Sequence, residues 1–109
     1  MDKEIRRILK IYSKNLEERG IQAQKILLFG SYAKGSQEAH SDLDLLVISE
    51  DFKGMDLWER LSLLGRARIG IEKPMEILGL TEEEYQLEKE GTFIGDEVKP
   101  LAINILERG

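Results

Sequence analysis

The sequence predicts an α/β (α+β) domain in which helices pack against a mixed sheet of about four strands. Three observations lead there. Short apolar runs at residues 25–29, 43–49 and 75–80 are bounded by Gly, Pro or polar residues, stretches of helical periodicity lie between them, and 109 residues suit a single domain spanning 1–109.

Taken in order, Ile5, Ile8, Leu9, Tyr12 and Leu16 recur on one face of a first helix, and Gly20 supplies its stop. KILLF (25–29) and LDLLVIS (43–49) read as strands buried on both faces. Between them GSYAKG opens a short helix. Residues 55–69 carry Leu57, Trp58, Leu61 and Leu64 at helical spacing, so a long helix is expected with Trp58 packed into the core. Arg66 and Arg68 at its end complement the helix dipole. Pro74 introduces a third strand, MEILGL (75–80), and Thr81 with Glu84 forms a capping box for a helix running to about Glu90. The acidic run Glu82, Glu83 and Glu84 suits that helix N-terminus. LAINIL (101–106), with Pro100 at its first position, is expected as the last strand.

Composition narrows the function. Lys plus Arg number 16 against 21 Asp plus Glu, a net charge of -5, which argues against general binding to nucleic-acid backbones. There is no cysteine, hence no disulfide framework or thiolate metal site. The N-terminus is charged and amphipathic, and no run of about 18 apolar residues occurs. A soluble cytoplasmic protein without membrane contact is expected.

The candidate chemistry sits in GSYAKGSQEAHSDLDL (30–45). Side chains of a strand alternate, so Asp42 and Asp44 point the same way at the mouth of the second strand. Two carboxylates so close call for a cation, and hard oxygen ligands without nearby His or Cys favour Mg²⁺ or Mn²⁺. By itself the pair is also what a solvated strand edge looks like. Glu76, the only acid in the third strand, is flanked by Met75, Ile77 and Leu78, where a buried charge is costly unless paired. If the third strand adjoins the second, Glu76 completes a three-carboxylate cup for two divalent ions; an edge strand with Glu76 facing water is the even alternative. Gly30 permits close backbone approach, Ser31 adds a hydroxyl, and Lys34 a mobile positive charge beside an anion. Lys34 precedes the second glycine, so this is no Walker A loop. Together these features describe a site for a nucleoside triphosphate whose α-phosphate is attacked by a hydroxyl, with pyrophosphate leaving. His40 reads as an incidental loop residue, and Ser41 as a local hydrogen-bonding group.

Gly30 and Ser31, ten residues, then Asp42-Leu43-Asp44 resemble the GSx10DxD signature of the minimal nucleotidyltransferases, within the DNA polymerase beta type superfamily. GSYAKG, SDLDLLV and MEILGLTEEEY are similar to the family's wording, so the likeness covers nearly the whole chain. The resemblance implies a nucleotidyltransferase fold, with Asp42 and Asp44 binding both metal ions and Glu76 binding one and helping to deprotonate the acceptor hydroxyl. Gly30 and Ser31 would hold the triphosphate of ATP, and Lys34 stands where the family often has a basic residue. The third acid is commonly Asp; in Glu76 the extra methylene moves the carboxylate, which favours metal binding over efficient base catalysis. Short members are similar to antitoxins paired with a HEPN (higher eukaryote and prokaryote nucleotide-binding) RNase toxin, to which they transfer AMP at a tyrosine hydroxyl. A HEPN-type partner is therefore expected, self-association stays open, and two rival readings remain: a non-catalytic antitoxin or adaptor acting by binding alone, and transfer to a small molecule or RNA end.

Overall fold

The computed structural model describes residues 2–106. Helix α1 (Lys3–Glu18) starts at Asp2, whose carboxylate accepts the Glu4 N–H, and it buries Ile5, Ile8, Leu9, Tyr12 and Leu16 on one face, as its spacing predicts. Strand β1 (Lys25–Phe29) leads through Gly30 into the short helix α2 (Ser31–Lys34). A polar connector returns to β2 (Leu43–Ile48), followed by a 3-10 turn (Glu50–Phe52) and α3 (Leu57–Arg66). Then come β3 (Met75–Leu80), α4 (Glu82–Leu87), a π-helical turn (Ile94–Val98) and β4 (Ile103–Asn104).

The four strands run in the order β3-β2-β1-β4. β1 pairs antiparallel with β2 and with β4, and β2 pairs parallel with β3, so the sheet is mixed. One face carries Ile26, Leu28, Leu43, Leu45, Val47, Met75 and Ile77 against α1 and Leu64 of α3, the main core. The other carries Leu27, Phe29, Leu46 and Ile48 under Ile94 and Val98 of the π-helical turn. Both faces of β1 and β2 are thus covered over most of their length, which is why those strands read as continuous apolar runs.

Four expectations need correction. Trp58 is 77% exposed and does not enter the core. The inward stripe of α3 is Arg60 and Leu64, continued by Ala67, and at 3.6 residues per turn Trp58 faces away from it. That stripe is keyed by an ion pair whose Arg60 end is buried. The Arg60 guanidinium meets both carboxylate oxygens of Glu84 at 2.6 and 3.0 Å and donates to the carbonyls of Phe52, Met55 and Gly79. The helix is also shorter than residues 55–69, because Asp56 and Glu59 close a capping box at its start. Helix α4 begins with the expected Thr81 to Glu84 box but ends at Leu87, where the Lys99 ammonium takes the carbonyls of Gln86 and Glu88. The last strand spans two residues instead of 101–106, since the Val98 carbonyl accepts the N–H groups of both Leu101 and Ala102 and keeps the chain curled until Ile103. Among the described residues no helix is long and apolar enough to cross a membrane.

Candidate active site

The register of the sheet sets the site. Phe29, the last residue of β1, stands opposite Asp44 of β2, and Asp44 stands beside Glu76 of β3. Partners in register share a face, so Phe29, Asp44 and Glu76 form one row across three strands. The row lies on the face that the π-helical turn covers further along, at the end where that cover stops. The adjacency of β2 and β3 on which the sequence argument depended is present.

Gly30 turns the chain at the edge of this row. Its φ of 72° and ψ of -152° belong to a region essentially reserved for glycine, and a Cβ built there would collide with the Asp44 carboxylate. Glycine is therefore required twice, by the backbone and by its neighbour. The Gly30 carbonyl then accepts the N–H groups of Ala33 and Lys34 to start α2, and the first N–H groups of a helix have no acceptor within it. Ser31 is half-buried at this turn, and Lys34 is exposed in the last turn of α2.

Asp44 is half-buried and is the group whose chemistry the site alters most. Burial, then the charge and hydrogen-bonding contact of Glu76, then the charge of Asp42, push its pKa up from 3.8 to about 6. Glu76 itself is exposed, because on edge strand β3 it lies on the face opposite the buried Met75 and Ile77. Glu76 is thus not the buried charge that its apolar neighbours predict: the desolvation falls on Asp44, one strand inward. Asp42 is exposed just ahead of the β2 ladder, whose first residue, Leu43, donates its N–H to the Pro74 carbonyl. Among the described residues no three Asp, Glu, His or Cys side chains already converge as a metal-ligand cluster. The donor set nonetheless fits a hard divalent cation, since it consists of carboxylate oxygens, and burial together with the charges of Glu76 and Asp42 makes ionised Asp44 costly without a positive partner.

His40 and Ser41 stay outside the row. His40 is exposed and lies 3.9 Å from the Glu38 carboxylate, and the Ser41 hydroxyl accepts the Glu38 N–H, the local role the sequence implies. Two aromatic features carry no signal in the sequence. The Lys73 ammonium lies 4.9 Å from the Tyr32 ring centre, beside α2, and the Phe93 ring meets Phe29 edge-on with centres 5.8 Å apart. A groove of about 210 Å³ opens between α1 and the β4 end, lined by Leu9, Lys10, Ile26 and Ile105 among others, and Asp42, Asp44 and Glu76 are not part of its lining.

A family model for the nucleotidyltransferase domain matches residues 5–108. The chain belongs to the nucleotidyltransferase family. Three relatives from Methanocaldococcus jannaschii carry the name protein adenylyltransferase. One is 36% identical over 77 residues, covering 71% of this chain and 69% of the relative. The others are 43% identical over 44 residues and 38% over 61, covering 40% and 56% of this chain. The chain spans about half the length of these two relatives, 50% and 53%. Among solved structures, a Sulfolobus solfataricus protein described as a nucleotidyltransferase superposes with a TM-score of 0.62 at 24% identity, covering 94% of this chain and 82% of that one. A toxin-antitoxin structure with AMP-PNP superposes with a TM-score of 0.63 at 21% identity, covering 91% and 73%. These two likenesses establish that the mixed sheet and its helices form the nucleotidyltransferase fold.

Proposed function

We propose that this nucleotidyltransferase moves a nucleoside monophosphate, AMP from ATP, to a hydroxyl on a protein partner, with two Mg²⁺ ions, or Mn²⁺, held by Asp42, Asp44 and Glu76. The observation that carries the reading is the row itself, in which Gly30 exists to admit the Asp44 carboxylate and Asp44 is set against Glu76. Divalent ions bound there supply charge neutralisation of the triphosphate and a more acidic acceptor hydroxyl. Gly30 and Ser31 bring backbone N–H groups and a hydroxyl to the phosphates, and Lys34 reaches them from the end of α2. Glu76, exposed on its edge strand, is open to the acceptor side and can take the proton of the attacking hydroxyl. Its longer side chain makes metal binding the firmer of its two roles.

The acceptor is supplied from outside. Asp42 and Glu76 are exposed at this end of the sheet, which leaves the row open to a partner that brings its own hydroxyl on a surface. The protein adenylyltransferase names of the relatives support the same direction, and a HEPN-type toxin is the partner proposed. The test is incubation with Mg²⁺, labelled ATP and the candidate partner. Label should enter the partner and fall at least a hundredfold with Asp44→Asn; transfer that is absent from the wild type, or indifferent to Asp44→Asn, removes the proposal.

A second reading keeps the complex without catalysis. The exposed Leu57 and Trp58 at the start of α3 give a binding module a surface for its partner, apart from the carboxylate row. If a variant carrying both Asp42→Asn and Asp44→Asn still neutralises the partner by complex formation, binding alone is the function.

A further inference from the structure

Phe93 is a large aromatic side chain with 56% of its surface in solvent, on a segment that is otherwise firmly built. The Thr92 hydroxyl donates to the Lys89 carbonyl at 2.8 Å and accepts the Gly95 N–H at 2.9 Å, and the Asp96 carboxylate accepts the Gly91 N–H. Ile94 and Val98, on the same turn, are buried against the sheet. The position of the ring is thus fixed by its neighbours and not by its own burial. It meets Phe29 edge-on at an interplanar angle of 74°, and Phe29 is the residue opposite Asp44. An exposed ring therefore touches the residue that stands beside Asp44 in the row of Phe29, Asp44 and Glu76.

Side chains directly opposite on one face of a sheet stand about 5 Å apart at Cβ. One such step from Asp44 to Phe29, followed by the contact from Phe29 to Phe93, places the Phe93 ring roughly a nucleotide's reach from the carboxylates. A ligand bound by its phosphates at Asp44 that extends toward β1 passes Phe29, which is buried, and the flat apolar surface open to it there is Phe93.

We infer that Phe93 is the stacking platform for the base of the nucleoside triphosphate. The inference rests on the nucleotidyltransferase reading of the carboxylate row and adds to it the place where the base lies. Stacking on one ring tolerates any base, since all have a π-face, so Phe93 contributes affinity while leaving choice among bases to other contacts.

The test compares ATP with inorganic tripolyphosphate, which has the phosphates and no base, by calorimetric titration in Mg²⁺ on the wild type and on Phe93→Ala and Phe93→Trp. Phe93→Ala should weaken ATP about tenfold, leave tripolyphosphate unchanged, and be rescued by Phe93→Trp. Equal ATP affinity in Phe93→Ala and wild type, with normal tripolyphosphate binding, overturns the stacking role while the site stands. Parallel loss of both ligands in Phe93→Ala overturns it too, by showing that the ring merely supports Phe29. Unchanged ATP binding with slower transfer to the partner would assign the ring to the acceptor instead. A wild type that binds neither ligand overturns the inference together with the nucleotidyltransferase reading of the row.

Discussion

At position 30 any side chain would meet the Asp44 carboxylate, and at position 44 any carboxylate needs the space that Gly30 leaves. The two residues should therefore be coupled in stability. Gly30→Ala is expected to cost about 2 kcal/mol from backbone strain and collision together. In an Asp44→Ala background the collision disappears while the strain remains, so denaturant titration of the double-mutant cycle should return a coupling of about 1 kcal/mol. The Asp44 carboxyl makes a second, pH-dependent statement. Because its folded pKa of about 6 exceeds the unfolded value of 3.8, the native state binds this proton more tightly. The stability so gained is fully present below about pH 4 and is lost as pH rises through about 6. Asp44→Asn should then raise the melting temperature of the cation-free protein by a few degrees at about pH 7.5, about 1 kcal/mol after allowance for solvent screening, and leave it nearly unchanged near pH 4. Added Mg²⁺ should stabilise the wild type at neutral pH and do much less for Asp44→Asn, a comparison that thermal unfolding reads directly.

Among the elements, α3 separates what a pattern can show from what a contact decides. Its apolar residues at helical spacing revealed a helix, but which side turned inward depended on Arg60 finding Glu84 24 positions later. No periodicity encodes that pairing, so the pattern alone predicts Trp58 in the core, where it does not lie. Arg60→Ala should destabilise by about 3 kcal/mol, since it removes a bidentate pair whose Arg60 end is buried and takes a donor from the Met55 and Gly79 carbonyls; Arg60→Lys should recover little, because an ammonium cannot reproduce the fork. Trp58→Ala should change stability by less than about 0.5 kcal/mol, whereas Leu64→Ala, 1% exposed in the wild type, should cost about 3 kcal/mol in urea titration. The strands tell the complementary story. β1, β2 and β3 were legible almost to the residue because each is an apolar run bounded by Gly, Pro or polar residues. β4 was not, since the apolar run at 101–106 is mostly kept off the sheet by the turn at Val98.

Across the molecule, the candidate site is where the register of three strands brings Phe29, Asp44 and Glu76 into one row, and its legibility follows that register. The glycine turn and the two aspartates belong to one continuous stretch, so their spacing alone linked them. Glu76 could join them only if β3 lay beside β2, which residue pattern left at even odds and the parallel pairing supplies. Its burial was misjudged because a strand flanked by Met75, Ile77 and Leu78 looks interior, while its place at the sheet edge depends on the order of all four strands. Phe93 lay beyond reach for the same reason, since a lone aromatic in a Gly-rich tail has no local mark of its distant neighbour Phe29. The most direct measurement compares ATP labelled at the α-phosphate with ATP labelled at the γ-phosphate, incubated with Mg²⁺, this protein and its candidate partner. Label from the α-phosphate should appear on the partner and γ-label should leave entirely as pyrophosphate, both abolished by Asp44→Asn. Transfer of γ-label, or a partner left unlabelled by either, would contradict attack on the α-phosphate at the Gly30, Asp44 and Glu76 row.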